Sequence, residues 1–284
     1  METKEKISLI IATLGRRDEL ASLLQSLCRQ TINTQELQVI IVDQNPEGYL
    51  EEIVSHYGRS LNIKYIHSSR RGLSLNRNIG LELAEGEIIG FPDDDCTYTP
   101  NTLKEALRAL SGNDVDLIIG RLVDPKSLKD AIKRWPQRRI RLNSFNFYKC
   151  SSSATMFVKT STIRFDENFG VGAKWGSNED AIFIYRHITS QLNCIYDPSI
   201  IVQHPDQKYE SLDTHKIRTY GIGFGKFIRS YISLSLLILF VGSISYQLCL
   251  AFYGAISLRF DISRKRLLAF SSRINGFINE DGNE

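Results

Sequence analysis

The chain has 284 residues, 42% hydrophobic and 24% charged, with a formal net charge of +3. These values fit one large α/β domain, or a domain with an appendage, and the charge is too small to argue for nucleic acid as a partner. Five scattered cysteines without a Cys-x-x-Cys pair read as reduced thiols, not as a disulfide framework or a zinc site.

The chain enters almost directly into a strand pattern, with no apolar h-region behind a basic start, so no signal peptide is expected. Lys6-Ile-Ser-Leu-Ile-Ile-Ala12 is a continuous apolar run of the kind found in buried parallel strands. Leu20, Leu23, Leu24 and Leu27 follow at helical spacing behind Asp18-Glu19, acids suited to a helix start. Leu37-Gln-Val-Ile-Ile-Val42 predicts a second strand ending at Asp43, then a helix through Ile53 and a strand Ile63-Lys-Tyr-Ile66. A helical pattern over Leu73–Ala84, a strand Ile88–Phe91, a helix Thr102–Leu110 and a strand Val115–Ile119 complete a β-α-β-α order. That order predicts a parallel sheet with ligands at the carboxyl ends of its strands. Thr13, Asp43 and Asp93-Asp94-Asp95 all fall at such ends.

Three adjacent carboxylates repel, by about 4 kcal/mol per pair at roughly 4 Å and an effective dielectric near 20. A strand end tolerates them when a cation sits there, and hard divalent cations take oxygen ligands alongside substrate phosphates. The bland alternative is a solvated acidic turn before the helix, since Thr99-Pro100 suits a cap and first helical position.

Seven Lys and Arg residues between Lys126 and Arg141 form a basic segment around Trp135-Pro136. It reads either as a solvated face or as a surface meeting anionic lipid or a phosphate-bearing acceptor. Ser151–Val158 reads as a loop into a strand, and Asn178-Glu179-Asp180 as a helix start with acids in the favoured first turn. Two short strands, Cys194–Tyr196 and Ile200–Val202, are expected before His204-Pro205. The tail from Asn279 to Glu284 is expected to fray.

From Ser230 to Leu258 no residue is charged, and basic residues stand on both sides. The run has the length of a spanning helix. Its Ser, Gln and Gly content, and flanks that set no orientation, suit an in-plane or hairpin pair of helices equally. A buried helical pair of a soluble protein is the third reading.

Five segments in order carry a resemblance: Ile10-Ile-Ala-Thr-Leu-Gly-Arg16, Ile41-Val-Asp-Gln-Asn45, Arg71-Gly-Leu-Ser-Leu-Asn-Arg-Asn-Ile-Gly80, Gly86-Glu-Ile-Ile-Gly-Phe-Pro-Asp-Asp-Asp95 and Gly176-Ser-Asn-Glu-Asp180. Over roughly residues 6 to 206 the chain resembles the family-2 glycosyltransferases of the GT-A fold. The resemblance implies an α/β architecture: a mostly parallel nucleotide-binding sheet flanked by helices, here followed by a C-terminal apolar helical segment. The expected division is a catalytic domain over residues 1–212, with its nucleotide-sugar half to about 122 and its acceptor half over about 123–212. Residues 213–284 are expected to form the helical, membrane-associated segment.

The implied activity is inverting transfer of a sugar from a nucleotide-diphosphate-sugar to an acceptor hydroxyl, on a lipid-linked or surface-polysaccharide intermediate. The implied place is the cytoplasmic face of the inner or plasma membrane. By resemblance, Thr13, Asp43, Arg71, Arg77, Asp93 and Asp94 would surround the nucleotide and its diphosphate. Asp95, with Asp93 and His204, would hold Mg²⁺ or Mn²⁺, and Asp180 would be the general base with Glu179 positioning it or the acceptor. Many relatives carry two consecutive acids at the end of the second strand, whereas here the second is Gln44. An amide donates as well as accepts, so a UDP- or dTDP-sugar is expected before a GDP-sugar, with guanosine left open. A nucleotide-sugar-binding partner subunit of weak activity and a sugar nucleotidyltransferase are the alternatives.

Overall fold

The computed structural model describes residues 7–111, 114–207 and 209–279. Lys6 and positions 280–284 of the tail expected to fray lie outside them. Every side chain of Ile7–Thr13 (β1) and of Leu37–Asp43 (β2) is buried, as the unbroken apolar runs require of strands covered on both faces. Between and after them come Arg17–Leu27 (α1), Glu51–Tyr57 (α2), Asn62–His67 (β3), Leu73–Glu82 (α3), Ile88–Gly90 (β4), Thr97–Tyr98 (β5) and Thr102–Leu110 (α4). The second half contributes Leu117–Val123 (β6), Ile140–Arg141 (β7), Met156–Lys159 (β8), Glu179–Thr189 (α5) and Cys194–Gln203 (β9).

The strands form one sheet in the order β3-β2-β1-β4-β8-β6-β9-β5, with β7 also paired to β9. The four strands of the N-terminal half, β3-β2-β1-β4, run parallel. Antiparallel β8 then joins β4 to β6, and the remainder is mixed. The β1, β2 and β4 chains leave the sheet at one edge, where Thr13, Asp43 and the three aspartates follow. The two strands expected near Cys194 and Ile200 are a single strand. Its register against β6 shifts between Ile119 and Arg121, beside Pro198, which cannot donate to a ladder. Asp197-Pro198-Ser199 has the composition of a turn and is a bulge. Gly120 makes it fit, because a Cβ there would stand 2.2 Å from the Ile200 carbonyl oxygen.

The C-terminal segment folds as three helices, Thr214–Ser230 (α6), Leu234–Ile256 (α7) and Phe260–Ile278 (α8). The uncharged run is thus one helix of 23 residues and not a hairpin pair. Asp213 caps α6 through the Lys216 amide at 2.7 Å, and Ser233 caps α7 through the Leu236 amide at 3.3 Å. Phe224 and Phe227 of α6 are buried against the edges of Tyr148 and Phe147.

α6 and α8 cross closely because glycines line the contact. A Cβ on Gly276 would stand 2.1 Å from the Ile222 carbonyl oxygen, a backbone atom that cannot swing aside. Gly242 on α7 has nothing within 4 Å of the same position. Gly276→Ala should therefore destabilise the chain by about 1–3 kcal/mol through overpacking, read as a fall in Tm. Gly242→Ala should be neutral or stabilising by up to about 1 kcal/mol, since alanine is the better helix former.

Candidate active site

One cleft of about 1080 Å³ opens at the carboxyl ends of β1, β2 and β4. Arg16, Gln44, Arg71, Asp93, Asp94, Asp95, Lys133, Glu179, Asp180 and His204 line it, and α6 and α8 add Tyr220 and Arg273. The acid cluster, the start of α5 and the late histidine, separated by many residues in the chain, meet in this one space. Thr13, Asp43 and Arg77 are buried and do not line it. Asp43 is occupied locally. One oxygen accepts from the Asn45 amide (2.8 Å) and side chain (2.7 Å), and the other accepts from Tyr65 (2.8 Å). Gln44 accepts from the Gly72 amide at 2.9 Å and so fixes the loop that carries Arg71.

Two guanidinium groups hold the three aspartates together. Arg16 Nη1 lies 2.8 Å from Asp94 Oδ1 and 2.6 Å from Asp95 Oδ2. Arg77, with a side chain only 1% exposed, donates to Asp93 Oδ1 at 2.6 Å and to Ser153 Oγ at 2.9 Å. Its other terminal nitrogen stands 3.5 Å from Glu179 Oε1, so one buried cation joins the acid cluster to the start of α5. Burial raises the affinity of Asp93 for its proton against the pull of Arg77. Asp95 behaves oppositely: burial works the same way, but His204 and Arg16 hold it below the usual carboxylate range.

The donor set fits a divalent cation. Asp95 Oδ1 is buried without a hydrogen-bond partner, and His204 Nε2 stands 3.5 Å from it. His204 Nδ1 lies 2.6 Å from the Pro205 carbonyl. A carbonyl only accepts, so Nδ1 carries hydrogen, and a neutral ring turns its Nε2 lone pair towards Asp95 Oδ1. Two facing acceptors need a cation between them, whether a proton on the ring or a metal. Cys96 Sγ also lies within 4.8 Å of these atoms. Burial pushes its thiol well above the ordinary value, which leaves it protonated and a poor partner for a hard ion. Asp93 is not in this group.

At the start of α5, Asn178 takes the left-handed conformation at φ 71°. Tyr148 donates to its side-chain oxygen at 2.8 Å, and Ser177 donates to the Tyr220 carbonyl at 3.3 Å. Glu179 and Asp180 thus enter the cleft from a helix start whose amide groups favour negative charge. Burial pushes Glu179 up to about 7, with Asp180 adding to the rise and Arg77 opposing it. Lys133 Nζ donates to the Ser151 carbonyl at 2.8 Å and lies 4.5 Å from the centre of the Trp135 ring. Burial draws this ammonium down to about 8, with Asp180 the nearest opposing influence.

Arg16, Lys133 and Ser153 belong to the site although the sequence gives them no assigned role. Arg16 ends the first motif, one residue beyond a glycine, and its position there is a usable signal. Lys133 is one of seven cations in its segment, and nothing local separates it from the exposed ones.

Among known proteins, the family model described as "Glycosyl transferase family 2" matches residues 8–173. EpsH of Bacillus subtilis (strain 168) is 33% identical over 120 residues, 42% of this chain and 34% of that protein. The poly(ribitol-phosphate) β-N-acetylglucosaminyltransferase TarS of Staphylococcus aureus (strain Mu50) is 30% identical over 116 residues, 40% of this chain and 20% of that one. The matches therefore span about a third and a fifth of those relatives. The crystal structure of S. aureus TarS 1–349 superposes with a TM-score of 0.61 at 18% identity, covering 96% of this chain and 93% of the other. The mannosyltransferase PcManGT of Pyrobaculum calidifontis, solved with GDP-Man and Mn²⁺, gives 0.64 at 14%, covering 98% and 88%. At such identities the likeness is one of fold.

Two outcomes follow from the buried charges. Arg77→Met leaves Asp93 and Glu179 without their shared cation and should cost about 3–5 kcal/mol by denaturant unfolding. Adding Glu179→Gln to it should recover part of that loss. Glu179 alone imposes a pH dependence. Its native value near 7 lies above the ordinary 4.5, so the native state holds a proton that the unfolded chain releases, and stability falls as pH rises from 4.5 through 7. Glu179→Gln should raise Tm relative to the parent at pH 8 and leave it unchanged at pH 4.

Proposed function

The chain belongs to glycosyl transferase family 2, and from that premise we propose that it transfers a sugar from a nucleoside-diphosphate donor to an acceptor hydroxyl with inversion. The observation that carries this reading is the shared cleft: the Asp95–His204 pair and the α5 acids line one space, and behind it Arg77 joins Asp93 of the acid cluster to Glu179. The donor diphosphate lies along the aspartates, with Arg71 and Arg16 as cations on the same wall. Thr13, Asp43 and Arg77 support that wall from beneath, and Asp93 and Asp94 serve the ribose and diphosphate side. Asp95 and His204 would hold Mg²⁺ or Mn²⁺, which when bound would supply positive charge beside the diphosphate.

Asp180 is the general base. It accepts the hydroxyl proton as the acceptor oxygen forms its bond to the anomeric carbon and the bond to the diphosphate oxygen breaks. Glu179 keeps Arg77 in place and sets the charge beside the base. Lys133 lies on the same wall, a cation able to balance the Asp180 carboxylate between turnovers. A UDP- or dTDP-sugar is the donor class, and the acceptor is a glycan or a lipid-linked intermediate of surface-polysaccharide type. The exposed apolar α7 and its basic flanks support work at the cytoplasmic face of the membrane.

Asp180→Asn keeps the shape and removes the base, so transfer should fall by about 10²–10⁴ while donor affinity stays near that of the parent. An equal loss of donor binding would instead make Asp180 a structural residue. If Asp95 and His204 hold the metal, thermal stabilisation by a nucleotide-sugar with Mn²⁺ should disappear with EDTA and in Asp95→Ala. Stabilisation unchanged in both would remove the metal from this site.

A further inference from the structure

The transfer reaction leaves α7 unexplained. This helix carries no charge over 23 residues, and its surface is divided. Ser235, Leu236, Phe240, Gln247, Ala251 and Gly254 are buried, at spacings that place them on one side. Leu234, Ile238, Val241, Phe252, Tyr253 and Ile256 are exposed, spread over roughly a third of the circumference.

By length and hydropathy α7 is able to cross a bilayer. Its packing argues against it. α8 runs back along the buried side. Phe277 stacks on Phe240 at 4.6 Å, Arg273 Nε donates to Ser243 Oγ at 3.0 Å, and Arg266 Nη1 donates to Gln247 Oε1 at 3.2 Å. Both arginines meet α7 near its middle. A spanning α7 would carry them to the centre of the hydrocarbon, together with the cleft that α8 lines through Ala269 and Arg273. Cations at that depth are costly.

We infer that α7 is an in-plane docking helix whose exposed face enters the headgroup–acyl boundary of a bilayer rich in anionic lipid, with α8 on its water side. The charges select lipid over a second copy. Arg229 precedes the face, and Arg259 and Arg264 follow it, all exposed. An antiparallel copy would set Arg229 against Arg259, and a parallel one would set each against itself. Anionic headgroups complement both ends at once, and Tyr246 and Tyr253 supply rings suited to that level. This inference deepens the transferase reading and rests on it at one point: α8 is a wall common to the membrane helix and the cleft, so a lipid-linked acceptor meets the site beside the bilayer.

The test uses the full chain with vesicles of phosphatidylcholine, with or without phosphatidylglycerol. Spin labels are placed at Ile238→Cys, at the native Cys249 and at Ile256→Cys, in a Cys28→Ser background and with Cys249→Ser for the first and last. The three labels should report one shallow depth, only on anionic vesicles. Phe252→Glu should lower partitioning by about tenfold or more and leave donor-dependent sugar release in solution unchanged. A depth that increases towards Cys249 and falls again would overturn the inference in favour of a span. Labels in water on a dimerising chain would overturn it in favour of a second copy. One shallow depth without sugar release would uphold the docking helix and sink the transferase reading alone.

Discussion

The site depends on one buried cation. Arg77 stands on α3, behind the cleft, and satisfies Asp93 on one side and Glu179 on the other. Asp93 follows β4, the strand where the parallel block meets the rest of the sheet, and Glu179 opens the helix that presents Asp180. A guanidinium that is 1% exposed needs carboxylates beside it, because an unpaired charge at that depth costs several kcal/mol; its Nη2 is hydrogen-bonded, whereas its Nη1 has no hydrogen-bond partner and faces Glu179 at 3.5 Å as an ion pair. The Asp93 and Glu179 carboxylates are therefore held at a fixed separation by the energetics of folding itself. Phe165 reinforces the arrangement, its ring centre 5.3 Å from the guanidinium carbon.

The remaining charges divide the labour of the cleft. Arg16 spans Asp94 and Asp95 from the open side, with a side chain 46% exposed. Asp95 keeps one oxygen with no hydrogen-bond partner opposite His204, an arrangement that calls for a proton on the ring or a metal between them. Strain of that kind collects at functional sites. The C-terminal helices are part of this economy and not an appendage: α6 packs aromatic rings on Tyr148, Tyr148 fixes Asn178, and Asn178 precedes the two acids.

Much of this was legible in the residues. The runs at Ile7–Thr13 and Leu37–Asp43 announce buried strands because nearly every position in them is apolar; Ser8 and Gln38, polar within them, bury by hydrogen-bonding each other. The aspartate triplet and the Glu179-Asp180 helix start are local patterns, and the fold brings them to one cleft. Pairings across the sheet were not legible. Nothing near Arg77 says that it faces Ser153, nor does the basic segment say that Lys133 alone turns inward beneath Trp135. The Asp197-Pro198-Ser199 bulge mimics a turn, since turn residues also serve at bulges. The uncharged run showed its length but not its neighbour, and the Arg266 and Arg273 contacts that decide its orientation arise from packing of α8.

The sharing of Arg77 is tested most directly by following the Glu179 carboxyl with ¹³C NMR across pH, in the parent chain and in Asp93→Asn. If the two acids share one cation, neutralising Asp93 leaves Arg77 to Glu179 and removes a like charge. The titration of Glu179 then moves down from about 7, while Asp166→Asn leaves it in place. A Glu179 titration unmoved by Asp93→Asn would contradict the account, for the two halves of the site would then be electrostatically separate.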